Sequence, residues 1–315
     1  MLRQAGAFFI PVPARPWSVR PAGFWSFATR YIQTKQIVRE IIDSERVTHV
    51  VAMGGFVAAP AVAAAPRRVP TLLVNLDAPP GKANRMMARK CTKVISAIEL
   101  PMKPKFAQRV VGVPVRLRAL TPGKASACRK KLSLDPDAPT LLVTGASQGA
   151  GSINELMIEL ARTRGSLFDG WQILHLTGRG QDEPVRQAYE QHGIRAVVCE
   201  FLDHIGLAWG GADLVISRAG ANSVAEIAIN AVPAIFLPYP HHADMHQLRN
   251  AQPLVDAGGA VILIDAVNAQ DNAAAIEPIL RELMGDEHKR SAMRQALAER
   301  RGPDAADTIA KMLVG

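Results

Sequence analysis

Two segments in the second half of the chain carry the residue types that hold phosphate: Val143-Thr-Gly-Ala-Ser-Gln-Gly-Ala-Gly-Ser-Ile-Asn154 and Ile216-Ser-Arg-Ala-Gly-Ala-Asn-Ser-Val-Ala-Glu226. Each runs from an apolar stretch through a turn of small residues into a helical pattern. Such a turn leaves backbone N–H groups unpaired at a helix N-terminus, where the partial positive charge favours an anion. Two of them in one parallel sheet imply a nucleotide diphosphate held between loops. Glu226, about one turn into the second helix, is placed to accept hydrogen bonds from ribose hydroxyls, so the pair points to a nucleotide sugar. Ser147 and Ser223 also suit plain helix capping, the commonest use of serine at such positions.

The elements that must position these residues alternate. In the second half, strands are expected at 140–144, 172–177, 195–199, 213–217, 234–238 and 260–264. Helices are expected near 152–163, 182–192, 204–209, 222–230, 244–257, 270–285, 287–300 and 303–314. Six strands with helices between them make a doubly wound α/β domain whose ligand lies at the carboxyl ends of the strands. The first half repeats the rhythm more briefly, with strands at Val47–Met53, Thr71–Val74 and Lys93–Ala97 and helices at Ser26–Asp43, Phe56–Ala65 and Gly81–Lys90. Pro114, Pro122, Pro136 and Pro139 then interrupt it. The expected organisation is a domain at 1–116, a linker at 117–139 and a second domain at 140–315.

Composition narrows the class. The 315 residues are 48% hydrophobic and 21% charged, as in an ordinary globular protein, with a net charge of +9. The excess suits an anionic partner. Nucleic acid is disfavoured, because no recognition motif and few aromatics are present to stack bases. Cys91, Cys128 and Cys199 lack metal-site spacing and suit a reducing compartment. No apolar run reaches the roughly 18 to 20 residues that span a bilayer. Basic residues in 1–39 could imitate a transit peptide, but Pro11, Pro13, Pro16 and Pro21 disfavour its amphipathic helix. Lys82, Arg85, Arg89, Lys90 and Lys93, with Met86 and Met87 alongside, form either a solvated face or a membrane-surface patch.

Four patterns, two of them within those segments, resemble the C-terminal domain of the MurG family: Gly145-x-Ser147-Gln148-Gly149 with Asn154; Arg218-x-Gly220-Ala221-x-Ser223-x-x-Glu226; Pro233-Ala-Ile-Phe-Leu-Pro-Tyr239; and His246-Gln247-x-x-Asn250-Ala251 before Ala257-Gly258. Looser likenesses lie at Gly54-Gly55-Phe56-Val57, Pro80-Gly81-x-Ala83-Asn84-Arg85 and Gly112-x-Pro114-Val115-Arg116. The resemblance implies a GT-B fold, two doubly wound Rossmann-like domains facing a cleft. It also implies inverting, metal-independent transfer of N-acetylglucosamine from UDP to an undecaprenyl-diphosphate-linked muramyl peptide. No cofactor is implied. The place of action would be the cytoplasmic face of the cell membrane, peripherally, on an anionic surface. A related transferase with another lipid acceptor, and an inactive UDP-sugar-binding homologue, stay open.

By matching position, the resemblance puts Ser147 at the donor phosphates, with Gln148 and Asn154 bracing that loop, and Arg116 at the nucleotide. Leu202 would read the uracil edge through its backbone. Ala221, Asn222 and Ser223 would line the diphosphate, Glu226 the ribose, and His246 and Gln247 the sugar hydroxyls. Gly54, Gly55 and Asn75 fall on the acceptor side. The family opens with a strand and a Gly-Gly-Thr-Gly-Gly-His turn that holds acceptor phosphate and offers a base, and Met1 to Arg30 has no counterpart. Its His-Glu-Gln-Asn tetrad is here Val74-Asn75-Leu76-Asp77. The expectation is therefore a first domain lacking its opening unit, with weak catalysis and Asp77 as the candidate base. His241, His242 and His246 are spaced like metal ligands, but Pro240 puts the first two on a loop and no metal is expected.

Overall fold

The computed structural model describes residues 8–16, 21–77, 79–100, 106–107, 109–145, 150–240, 245–300, 302 and 304–314. Contacts divide the chain into two compact units, Met1–Gly112 with Asp307–Gly315, and Val113–Ala306.

In the first unit α1 (Pro21–Ser44) leads to β1 (Val50–Ala52), α2 (Ala59–Ala64), β2 (Thr71–Asn75), α3 (Lys82–Ala88) and β3 (Lys93–Ser96). Helix α1 begins at Pro21, five residues before the apolar periodicity does. Proline is tolerated in a first turn because the N–H it lacks would have no partner there. The strands pair in parallel in the order β1-β2-β3. Alternation sends Leu73 to one face, with Val62 and Met87, and Leu72 and Val74 to the other, where Ile309 of the C-terminal helix (Ala305–Val314) covers them. Met86 and Met87 separate accordingly: Met87 is buried, whereas Met86 stays 69% exposed among Lys82, Arg85 and Arg89.

The second unit contains α4 (Ala125–Lys131), β4 (Thr140–Thr144), α5 (Gly151–Arg164), β5 (Gln172–Leu176), α6 (Asp182–Gln191), β6 (Ala196–Cys199), α7 (Ile205–Gly211), β7 (Leu214–Ser217), α8 (Ala221–Asn230), β8 (Ala234–Phe236), α9 (His246–Asp256), β9 (Ala260–Ile262), α10 (Ala269–Gly285) and α11 (Glu287–Glu299). Its six strands are all parallel, in the order β6-β5-β4-β7-β8-β9. Leu141, Val143, Leu214 and Ile216 face α5, α6 and α10, while Leu142 and Val215 face α7, α8 and α9. Both faces are covered, which explains why these strands read as continuous apolar runs. The order reverses between β4 and β7, so the crevice for a ligand lies beyond their carboxyl ends.

The stretch 117–139, read above as a linker, lies inside this second unit. Leu132 and Leu134 enter its core. Arg129, 7% exposed, pairs with Asp213 at 2.6 Å and donates to the Gly211 carbonyl at 2.9 Å. Asp213 also accepts from the Thr140 N–H, which ties the amino ends of β4 and β7 together. Asn230 at the end of α8 grips the segment before α4: it donates to the Ala119 carbonyl and accepts from both the N–H and the hydroxyl of Thr121.

Gly206 of α7 lets that segment approach. A Cβ there would lie 2.2 Å from the Leu120 carbonyl oxygen and 2.9 Å from that of Arg118. Backbone atoms cannot rotate away, so Gly206→Ala should destabilise the second unit by about 1–3 kcal/mol or more. Urea unfolding would measure it, and an unchanged midpoint would show that the approach is looser than the geometry states.

Candidate functional site

At the carboxyl edge of the second sheet, α8 opens with Gly220 as its N-cap, in extended conformation, and no side chain caps the helix. Ala221, Asn222 and Ser223 are its first three residues, so their N–H groups are among those a helix leaves without an internal partner. Ser223 does not act as the cap, which removes the plain capping role at this turn. Glu226 follows on the same helix and is 8% exposed. Its Oε1 accepts from Arg116 Nη2 at 3.3 Å and its Oε2 from Trp209 Nε1 at 3.1 Å. Two residues expected at the nucleotide, Arg116 and Glu226, are thus in direct contact. Arg116 keeps 67% of its side chain in solvent.

Helix α5 opens at the end of β4. Ser147 and Gln148 lie outside the described residues, as do His241 and His242. Asn154 is 5% exposed and turned inward. Its Nδ2 donates to the Thr177 carbonyl at 3.1 Å and to Gln181 Oε1 at 2.8 Å, so its Oδ1 is left to accept from His175 Nε2 at 3.0 Å. His175 Nδ1 then accepts from the Tyr189 hydroxyl at 2.9 Å, which fixes the tautomer. Every polar atom of the Asn154 amide is engaged within the protein, so its place is that of a brace between α5 and the loop after β5.

Helix α9 begins at His246 and Gln247, after Met245 at φ 48°. Gln247 Oε1 accepts from the Tyr239 N–H at 2.9 Å, so any ligand contact would come from its Nε2. Asn250 Nδ2 donates to the Ala219 carbonyl at 3.2 Å and holds α9 against the turn before α8. Leu202 lies in the Glu200–Asp203 turn beyond β6, half-buried against the core.

A buried cluster absent from the residue-level expectations joins these loops. Arg218, 7% exposed, pairs with Asp265 at 2.6 Å and donates to the Leu237 carbonyl at 2.7 Å and to Ser152 Oγ at 2.7 Å. Ser152 in turn donates to Asp265 at 2.6 Å. Burial pushes the Asp265 carboxyl up, but hydrogen bonds from Ser152, Asn272, the Val267 N–H and Arg218 outweigh it and hold the group below its ordinary 3.8. Its stabilising effect is complete above that value and is lost as pH falls through the lower native one. Arg218 stood in a motif, which was a signal; Asp265 offered none.

In the first unit, the expected acceptor-side residues also come together. Gly54 and Gly55 follow β1 with φ of 87° and 79°, conformations that glycine adopts freely. The Gly55 N–H donates to Asn84 Oδ1 at 3.0 Å, and Asn84 Nδ2 donates to Asn75 Oδ1 at 2.9 Å. Asn75 Nδ2 reaches the Asp77 carbonyl at 2.7 Å and Ser96 Oγ at 3.2 Å. Asp77 itself is exposed. Among the described residues, no group of three or more His, Cys, Asp or Glu is arranged to hold a metal ion. A cavity of about 400 Å³ lined by Phe168, Trp171, His192 and Arg195 opens at the amino ends of β5 and β6, away from the loops that carry the motifs.

The profile of the glycosyltransferase family 28 C-terminal domain matches residues 140–309, and that of the N-terminal domain matches residues 1–96. A Nocardioides sp. protein named UDP-N-acetylglucosamine--N-acetylmuramyl-(pentapeptide) pyrophosphoryl-undecaprenol N-acetylglucosamine transferase is 35% identical over 311 residues, covering 97% of this chain and 81% of that protein. A protein of the same name from Frankia casuarinae is 37% identical over 267 residues, covering 82% and 68%. The crystal structure of Acinetobacter baumannii MurG shares the fold, with a TM-score of 0.70 at 23% identity over 99% of this chain and 86% of that one.

The buried histidine makes a pH prediction. Burial lowers His175 from 6.5 to about 3. Between those values the unfolded chain binds a proton that the native chain does not, so stability should fall as pH drops through the window, by up to about 1.4 kcal/mol per pH unit. Unfolding free energies at a series of pH values should decline more steeply for the wild type than for His175→Gln. Parallel curves would place the acid sensitivity elsewhere.

Proposed function

The chain belongs to glycosyltransferase family 28 and within it to the MurG transferases, and on that premise we propose that it transfers N-acetylglucosamine from UDP to a lipid-linked N-acetylmuramyl peptide in peptidoglycan synthesis. The observation that supports this most is the start of α8. A helix without a side-chain cap opens at the carboxyl end of β7, beside the point where strand order reverses, with the Glu226 carboxylate buried behind it.

In the transfer, the acceptor hydroxyl oxygen bonds to the anomeric carbon as the bond from that carbon to the diphosphate oxygen breaks. Negative charge then collects on the leaving UDP. N–H groups at the helix start, fixed before the reaction, are suited to stabilising that charge without a divalent cation. The cationic Arg116, anchored through Glu226, is our second candidate for the nucleotide. A single displacement of this kind inverts the anomeric centre. It also requires a base for the hydroxyl proton, and we assign that role to Asp77. Its carboxylate stands exposed beyond β2, beside the Asn75–Asn84–Ser96 network that fixes the neighbouring loops. Gln247 and His246, at the start of α9, are assigned to the sugar hydroxyls.

A lipid-borne acceptor calls for a membrane surface. Among the described residues no helix is long and apolar enough to cross a membrane. The first unit presents Lys82, Arg85, Arg89, Lys90 and Lys93 around exposed Met86, a face suited to peripheral contact with anionic lipid on the cytoplasmic side.

Two measurements bear on this reading. UDP-N-acetylglucosamine should bind the full chain with chelator present, and Glu226→Gln should weaken binding by about 1–3 kcal/mol, the scale of a hydrogen bond to a charged group. Loss of binding in chelator would overturn the metal-free mechanism. In vesicle sedimentation, the chain should prefer vesicles containing phosphatidylglycerol to neutral ones. Replacing Lys82, Arg85 and Arg89 with glutamine should remove most of that preference, since each basic residue near such a surface contributes about 1 kcal/mol. Equal binding to neutral vesicles would rule out the electrostatic surface.

A further inference from the structure

Four donors converge on one carboxylate. Asp265 Oδ2 accepts from Arg218 Nη1 and Ser152 Oγ, both at 2.6 Å, and Oδ1 accepts from Asn272 Nδ2 and the Val267 N–H, both at 2.8 Å. The residue is 2% exposed. It follows β9, the edge strand, yet two of its four donors come from α5 beyond β4 and from the turn beyond β7. We propose that Asp265 is a positioning residue for the UDP-sugar: by holding Ser152 and Arg218 it sets the starts of α5 and α8 relative to each other. The inference rests on the donor-site reading above.

Several observations carry it. Ser152 is the second residue of α5, and Arg218 stands two residues before the cap of α8, so the cluster grips the first turn of α5 and the chain entering α8. Arg218 extends the tie to the Leu237 carbonyl, and its guanidinium lies over the Tyr239 ring, 5.6 Å from the centroid. Tyr239 donates its N–H to Gln247. Val267 is a β-branched residue held at φ 55°, a conformation such side chains rarely adopt, and its N–H goes to Asp265. One carboxylate therefore connects the loops after β4, β7, β8 and β9. A diphosphate read by two helix N-termini depends on their separation, and misplacement by about 1 Å costs a reaction on the order of a hundredfold.

The fold supplies its own control. Arg129 and Asp213 form an ion pair of the same length, 2.6 Å, with Asp213 half-buried, but at the amino ends of β4 and β7, where no ligand is assigned. Both pairs hold the sheet's elements together; only Asp265 holds the helix starts.

Asp265→Asn presents an amide nitrogen among donors and leaves at least one of them unpartnered. With the full chain, well below the melting temperature of every variant, it should raise the Kd for UDP and the KM for UDP-N-acetylglucosamine by about tenfold or more, and leave the KM for the lipid-linked acceptor unchanged. Ser152→Ala, which keeps the ion pair, should weaken UDP by about threefold. Asp213→Asn should lower the melting temperature while UDP affinity stays within about twofold of wild type. If Asp265→Asn does not fold, Ser152→Ala carries the test. UDP affinity unaffected in both variants, or weakened no more than in Asp213→Asn, overturns the inference alone. A wild-type chain that binds neither UDP nor UDP-N-acetylglucosamine overturns the donor reading as well.

Discussion

A parallel sheet covered on both faces leaves its ligand few places to go. All six strands of the second unit run the same way, so every strand hands its chain to the following turn at one edge. The side chains beneath that edge face apolar layers on either side of the sheet. At that edge the starts of α5, α8, α9 and α10 gather. The reversal of order between β4 and β7 opens the crevice. The rest of the second unit serves to hold that edge in one geometry.

It does so with two kinds of buried polar group. Beneath α5, the chain from Thr177 through Asn154 and His175 to Tyr189 is neutral throughout. Burial keeps His175 unprotonated and raises Tyr189 well above its ordinary value, so neither carries charge where none would be compensated. Across the edge the solution is ionic. Asp265 can stay charged because four donors replace its water shell. Charge at Arg218 is acceptable because Asp265, Ser152 and the Leu237 carbonyl surround it. Neutral amides suit a fixed strut inside the core. A charged cluster suits a junction where several loops must meet in one register, since an ion pair tolerates displacement of a partner poorly.

What the sequence shows follows from range. The strands at 140–144 and 213–217 were legible because a buried parallel strand is a local apolar run, and the turns beyond them because small residues before a helix form a local pattern. The start of α1 was missed because an apolar period cannot report a proline that merely opens a helix. Residues 117–139 read as a linker because proline spacing is local, while the bonds from Arg129 to Gly211 and Asp213 span 82 and 84 positions. Asp265 was invisible for the same reason: Arg218 lies 47 residues away and Ser152 lies 113. An aspartate between a strand and a helix looks like any loop acid. Glu226 stood out in its motif, but its tie to Trp209 did not, since a tryptophan in an apolar helix signals core before it signals a donor.

The two units meet opposite electrostatic demands. On the proposed reading the second unit must receive a diphosphate whose charge grows during reaction, and helix starts supply positive potential close to it. On the same reading the first unit receives a substrate that arrives already anionic and stays so. Its network of Gly55 with the buried Asn84, Asn75 and Ser96 contains no charged side chain. A buried carboxylate there would repel the substrate, and a buried cation would require a partner that cancels its field. Positive charge sits instead on exposed residues of α3, the turn after it and the start of β3: Lys82, Arg85, Arg89, Lys90 and Lys93. On the proposed reading, charge at that range serves to attract an anionic surface without fixing any one group, and fixing is left to the neutral amides. On that reading the unit divides the work: exposed cations for long-range attraction, and the buried amides of Asn75 and Asn84 for short-range positioning.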